Sequence, residues 1–196
     1  MTTICIAGAG SHGRALAEIA RVRSHSVAWY DDKWAEGGSG LPVERITEHD
    51  AWIVGVHNPQ ARAELAARIP GRATRLVHPS VVRGNGCVRH FGSVLAAGVI
   101  LTCDVIVGRH THLNVGVTVS QSTFLGDFVT ISPGAHIAGE CIIGDRTFIG
   151  VGASIANLVS IGSDVTIGAG CVVLHDVPAG STVVGVPARP LERSHA

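Results

Sequence analysis

From Leu95 onward, every sixth residue is aliphatic without a break: Leu95, Leu101, Val107, Leu113, Val119, Leu125, Ile131, Ile137, Ile143, Ile149, Ile155, Ile161, Ile167 and Val173. Two residues before each of the last eleven stands a small or β-branched residue: Thr111, Val117, Thr123, Val129, Ala135, Cys141, Thr147, Ala153, Val159, Val165 and Cys171. A longer period of eighteen is marked by Gly108, Gly126, Gly144 and Gly162. A period of six fits neither a lone helix nor a lone strand. It fits a short strand plus its corner, three of which close one turn of a triangular prism. Stacked turns then lie about 4.8 Å apart, as neighbouring parallel strands do. The aliphatic residue fills the prism, the small one packs beside it, and glycine serves a corner that is tight or needs positive φ.

Composition agrees with a narrow interior. Hydrophobic residues make up 46% of the 196, yet aromatics only 4%, with 25 glycines and one methionine. Five cysteines, none in CxxC spacing, give no disulfide framework or zinc ribbon, and Cys141 and Cys171 read as interior packing residues. Fifteen basic residues against fifteen acidic leave no footprint for nucleic acid or an anionic membrane. No apolar run has the length of a membrane span, and Met-Thr-Thr-Ile lacks a basic signal-peptide start. The expectation is a cytoplasmic protein with no metal, membrane or nucleic-acid partner.

The first half has a different grammar. Thr3 to Ala7 reads as a buried strand and Arg14 to Val22 as an amphipathic helix. Between them lies Gly8-Ala9-Gly10-Ser11-His12-Gly13, a complete GxGxxG at a strand-to-helix turn. A second strand, Ser26 to Tyr30, ends in Asp31-Asp32, and a third, Trp52 to Val56, precedes a helix from about Pro59 to Arg68. Such glycines let backbone approach a phosphate at a helix N-terminus, and a strand-end carboxylate accepts from a ribose or base. Nicotinamide binding by an oxidoreductase is an alternative, weakened because the segment before the repeat holds half a Rossmann domain and no second catalytic domain follows.

The hexapeptide pattern resembles the left-handed β-helix acyltransferases. Beyond the repeat, the matching stretches are the glycine motif, Tyr30-Asp31-Asp32, Val77-His78-Pro79-Ser80, Ser132-Pro133-Gly134-Ala135 and Gly185-Val186-Pro187-Ala188-Arg189. With these the whole chain resembles bacterial acetyltransferases acting on nucleotide-linked amino sugars and the related sialic-acid O-acetyltransferases. The resemblance implies an α/β plus β chain: a Rossmann-like nucleotide-sugar domain over 1–79, a left-handed parallel β-helix over 80–175 and a tail over 176–196. It implies a homotrimer with active sites between adjacent prisms. Gly10, Ser11, His12, Asp31 and Asp32 would contact the nucleotide-sugar. Acetyl-CoA, as co-substrate, would lie near Thr130, Val151 and Ala169.

At the chemistry, this chain departs from the family. There a histidine takes the proton from the nucleophile, and a neighbouring carboxylate raises its basicity. Anchored on Asn114 upstream and Leu125-Gly126-Asp127-Phe128 downstream, that pair falls on Gln121-Ser122, and neither is a base. A further family histidine falls on Thr130. Three readings stay open. Gln121 orients an acceptor that arrives as free amine, with Asn114 beside it. A displaced histidine substitutes: His112, one coil before Thr130 and facing outward, or His12 at the nucleotide site. Or acetylation is lost and the chain binds ligand or partner only. His57 could line the nucleotide pocket or cap its strand, and His78 reads as structural.

Overall fold

The computed structural model describes residues 2–32 and 41–191. Three parallel strands open the chain, β1 (Thr3–Ala7), β2 (Ser26–Tyr30) and β3 (Ala51–Val54), in the order β2-β1-β3. Helix α1 (Ser11–Val22) buries Leu16, Ala17, Ile19 and Ala20 against this sheet, at the spacing of one helical face. It begins three residues earlier than expected, because Gly10 inside the glycine motif is its N-cap. Strand β3 stops at Val54, since Gly55 packs on the glycine motif: a Cβ there would lie 2.6 Å from the Gly13 Cα. Helix α2 (Pro59–Ala67) starts from Asn58, whose side chain accepts from the Ala61 amide at 2.9 Å.

The rest of the described chain is a left-handed parallel β-helix, running from Leu76–Val77 to Thr182–Val184. Its three faces carry eight, six and five strands, and the first is closed by an antiparallel strand at Arg189–Pro190. Register follows the eighteen-residue period: His112–Leu113 lies on Val94–Leu95 below and Thr130–Ile131 above. All fourteen aliphatic positions of the repeat are at most 3% exposed. Burial of each contributes roughly 1.5–3 kcal/mol. Cys141 and Cys171 are interior and unpaired, as the small packing residues of their rungs. Interior threonines satisfy their hydroxyls on the coil above, Thr111 on the Gly126 carbonyl and Thr147 on that of Gly162.

The corners separate two glycine duties. Gly108, Gly126 and Gly144 do not have positive φ; a Cβ on Gly108 would sit 2.2 Å from the Gly126 carbonyl oxygen, so close approach is their reason. The left-handed conformation belongs to three other columns. One is all glycine (Gly98, Gly116, Gly134, Gly152, Gly170), while the others use side chains, including His110, Phe128, Arg146 and Asp164. Along this last column residues pair one coil apart. His110 stacks on Phe128 at 4.9 Å, and Arg146 forms a two-pronged ion pair with Asp164.

The N-terminal domain sits on the first face. Trp52 stacks on His110 at 5.6 Å, and Thr130 donates to the His57 carbonyl at 2.8 Å. Arg62 of α2 is wholly buried and makes five hydrogen bonds. It donates to the carbonyls of Val56 and His57 in its own domain, and of His110, Phe128 and Val129 on the prism. One guanidinium thus joins the two parts, its fixed fork of donors matched to the corner carbonyls of His110 and Phe128, while the Val129 carbonyl also accepts from the His112 amide.

Candidate active site

The three fingerprint glycines have three different reasons. Gly8 has φ +103° and lies against Gly55. Gly13 lets α1 pack on β1, since a Cβ would fall 2.0 Å from the Gly8 carbonyl oxygen. Gly10 meets nothing within 4 Å and faces open space. As N-cap it offers no side-chain acceptor, and the first turn of α1 holds no acidic residue. The first-turn amides are left for a ligand, and a helix N-terminus in that state favours an anion.

These elements open onto a cavity of about 440 Å³, lined by Gly8, Gly10, Ser11, His12, Tyr30, Asp31, Asp32, Val43, Gly55, Val56, His57 and Leu65. All five residues expected at the nucleotide-sugar, Gly10, Ser11, His12, Asp31 and Asp32, are in this wall. Asp31 accepts from the Ala9 amide at 2.8 Å, which fixes the glycine turn to the end of β2. Asp32 accepts from the Val43 amide and pairs with Arg68, and these two contacts hold its carboxyl below the usual range. Arg68 also pairs with Glu44.

His12 and His112, separated by 100 residues, share a hydrogen bond from Nε2 to Nδ1 at 2.9 Å. His112 points out of the prism, as expected, yet it is only 1% exposed because α1 and the glycine turn cover it. Its other ring nitrogen is buried without a partner among the described residues. His57 packs edge-on against His12 at 5.1 Å. A second cavity, of about 310 Å³ and mostly apolar, lies on the far side of the pair between α1 and the prism, and Asn114 and His78 also line it. His12 borders both cavities.

Every ring in this cluster is held unprotonated. Burial pushes the His12 pKa down to about 3, with the charges of His57 and Arg62 adding to the effect. Burial and Arg62 lower His57, take His110 to about 4, and carry His112 well below an ordinary histidine. Burial brings Arg62 itself to about 9, so it stays a cation at neutral pH.

The other expected residues are more dispersed. Asn114 spends its amide on the Ile131 carbonyl, at 2.9 Å. Gln121 is exposed at the corner between the second and third faces, with its side chain over Gly139. It lines neither cavity. Thr130 is fully buried, its hydroxyl on His57. Val151 and Ala169 are exposed, in register on one corner column. His57 lines the pocket, and His78 accepts from Ser80 in a local turn. His195, with the end of the tail beyond 191, lies outside the described residues. Arg62 and His110 had no sequence signal, because a polar residue early in a helix and a histidine at a corner both read as solvated surface.

The PglD N-terminal domain matches residues 3–69, and the bacterial transferase hexapeptide of six repeats matches 122–157. No curated protein matches the chain. Among solved structures, the acetyltransferase domain of PglB from Neisseria gonorrhoeae, in complex with acetyl coenzyme A, is 30% identical with a TM-score of 0.88. It spans 96% of this chain and 98% of its own. A histidine mutant of perosamine N-acetyltransferase from Caulobacter crescentus, in complex with CoA and GDP-perosamine, is 26% identical with a TM-score of 0.92, over 98% of both chains. WeeI from Acinetobacter baumannii is 27% identical with a TM-score of 0.88, over 97% of this chain and 100% of its own. A glycine fingerprint on a half-Rossmann sheet, a hexapeptide prism and this likeness along the whole length together place the chain in the PglB-type acetyltransferases, with a PglD-like N-terminal domain and a left-handed β-helix.

Proposed function

We propose that the chain transfers an acetyl group from acetyl-CoA to an amino group on a nucleotide-linked sugar. The cavity between the glycine turn and Asp31 carries this reading: it offers uncapped helix amides to a phosphate and carboxylates to a ribose or base. Gly10, Ser11 and the backbone amide of His12 hold the diphosphate side, and Asp31 and Asp32 the nucleoside side. The relatives bound to acetyl-CoA, or to CoA with GDP-perosamine, support both ligand classes. Acetyl-CoA lies along the exposed corner of Val151 and Ala169, with Thr130 on the neighbouring rung. The working form is a homotrimer in the cytoplasm. Within one chain Gln121 stands at a corner away from the face that carries the pocket, so it would meet the acceptor only from a neighbouring prism, whereas Asn114 lines the second cavity beside His12 and His112.

Backbone amides at a coil corner are preorganised to stabilise the tetrahedral oxyanion. A second reading, a homologue that binds both ligands without transfer, is favoured by Gln121 and Ser122 at the family's base position. Incubation with acetyl-CoA and a panel of nucleotide-linked amino sugars, followed by free-thiol release, separates the two. Release matched by acetylated sugar supports transfer; no release from any acceptor, with CoA binding retained, overturns it for that panel. Nicotinamide dinucleotide binding tighter than nucleoside diphosphates would favour the oxidoreductase, although the three-stranded sheet is half of the fold that binds dinucleotides.

A further inference from the structure

We propose that the His12–His112 pair is the acceptor subsite: His12 receives the amine as its free base through an unprotonated ring nitrogen, and His112 is the positioning residue behind it. This rests on the transferase reading above and supplies what Gln121 cannot.

The geometry is that of a held group rather than a surface histidine. His12 stands on the glycine turn, at the wall shared by the nucleotide-type pocket and the apolar cavity. Its Nε2 is fixed on His112 Nδ1, and its Nδ1 makes no hydrogen bond among the described residues. The His112 ring is 1% exposed, and its Nε2 has no partner among the described residues.

Charge around the pair selects the form of the ligand. Arg62 approaches from α2, His57 from the loop after β3, and His110 from the prism corner, while Asp31 and Asp32 lie across the pocket at the end of β2. Arg62 is fully buried and, among the described residues, bonded to carbonyls alone, so no carboxylate pairs with it directly; Asp127 opposes its charge at His110, on the far side from His12. Burial first, and that charge second, depress every ring beside it, and an ammonium docking there meets the same two penalties. The site therefore takes the amine already deprotonated.

The reaction then needs no protein base. The amine lone pair attacks the thioester carbonyl carbon, and a C–N bond forms. The C–S bond breaks with its electron pair going to sulfur. One amine proton leaves on that sulfur as the coenzyme thiol, while the other N–H remains on the amide, donating to His12.

The test measures kcat and kcat/KM for the amine between pH 6 and 8, in the unsubstituted protein and in three variants. His12→Ala should lower kcat/KM about ten- to a hundredfold while leaving the affinity for CoA unchanged. His112→Leu should lose about tenfold, and His112→Asn, whose amide reaches the Nδ1 position, should restore most of it. Unsubstituted kcat should stay flat across the range, with kcat/KM following the amine's own ionisation. Unaltered kcat/KM in His12→Ala overturns the inference alone. So does a kcat that rises through an ordinary histidine pKa near 6.5, the mark of a titrating base. If His112→Leu fails to fold, the partly buried His12 and the His112→Asn variant carry the test. Absence of transfer by the unsubstituted chain overturns the functional reading, and this inference with it.

Discussion

Four histidines, at 12, 57, 110 and 112, gather around one buried arginine, and each binds its proton more weakly than in the unfolded chain. Linkage fixes the sign. Between the unfolded pKa near 6.5 and the lower folded values, the unfolded chain holds more protons, so stability rises with pH and is lost as pH falls. Above pH 6.5 the contribution is fully present. Each histidine adds a slope of up to about 1.4 kcal/mol per pH unit inside the window. We therefore expect the urea midpoint to drop steeply between pH 6.5 and 5; a midpoint unchanged over that range would mean the cluster is already protonated or exposed. At this scale the sequence was only half legible. His12 and His112 each stood out, one by the glycine motif and one by its register with Thr130. Their pairing did not, because a contact across 100 residues leaves no local pattern. Arg62 left none at all.

The prism was readable because its constraint is periodic. A six-residue unit repeated along one axis puts the same demand on every rung, so Leu95 to Val173 announce both the interior and the register. Corners were harder. The eighteen-residue glycines mark close approach, whereas the left-handed column from Gly98 to Gly170 lay unnoticed beside them. The distinction has a measurable consequence. Gly134→Ala meets open space and should cost about 1–2 kcal/mol for its positive φ alone. Gly108→Ala forces its coil away from the Gly126 carbonyl and should cost more, about 3 kcal/mol or above. Thermal denaturation of the two variants ranks them; equal costs, or the reverse order, would contradict the assignment of corner duties. Helix α1 shows the same lesson on a smaller scale: glycine at Gly10 looked like loop but is its N-cap.

Across the whole molecule, the α/β domain and the prism meet on one face, and the proposed chemistry belongs to their junction. The five residues proposed for the nucleotide-sugar were legible as neighbours in space, since Gly10, Ser11, His12, Asp31 and Asp32 all line one cavity. Gln121 is separated from that cavity by the prism's own geometry, which no motif spacing within one chain reveals. If the site has been rebuilt around the His12–His112 pair, Gln121→His should leave turnover unchanged or lower it. A clear rise, tenfold or more, would show an ordinary base mechanism merely disabled. The central claim is tested most directly by a crystal structure of the assembled protein with CoA and a nucleotide-linked amino sugar. The account predicts the diphosphate at the first-turn amides of α1 and the acceptor nitrogen within hydrogen-bonding distance of His12. An acceptor nitrogen held at Gln121, with His12 out of reach, would contradict it.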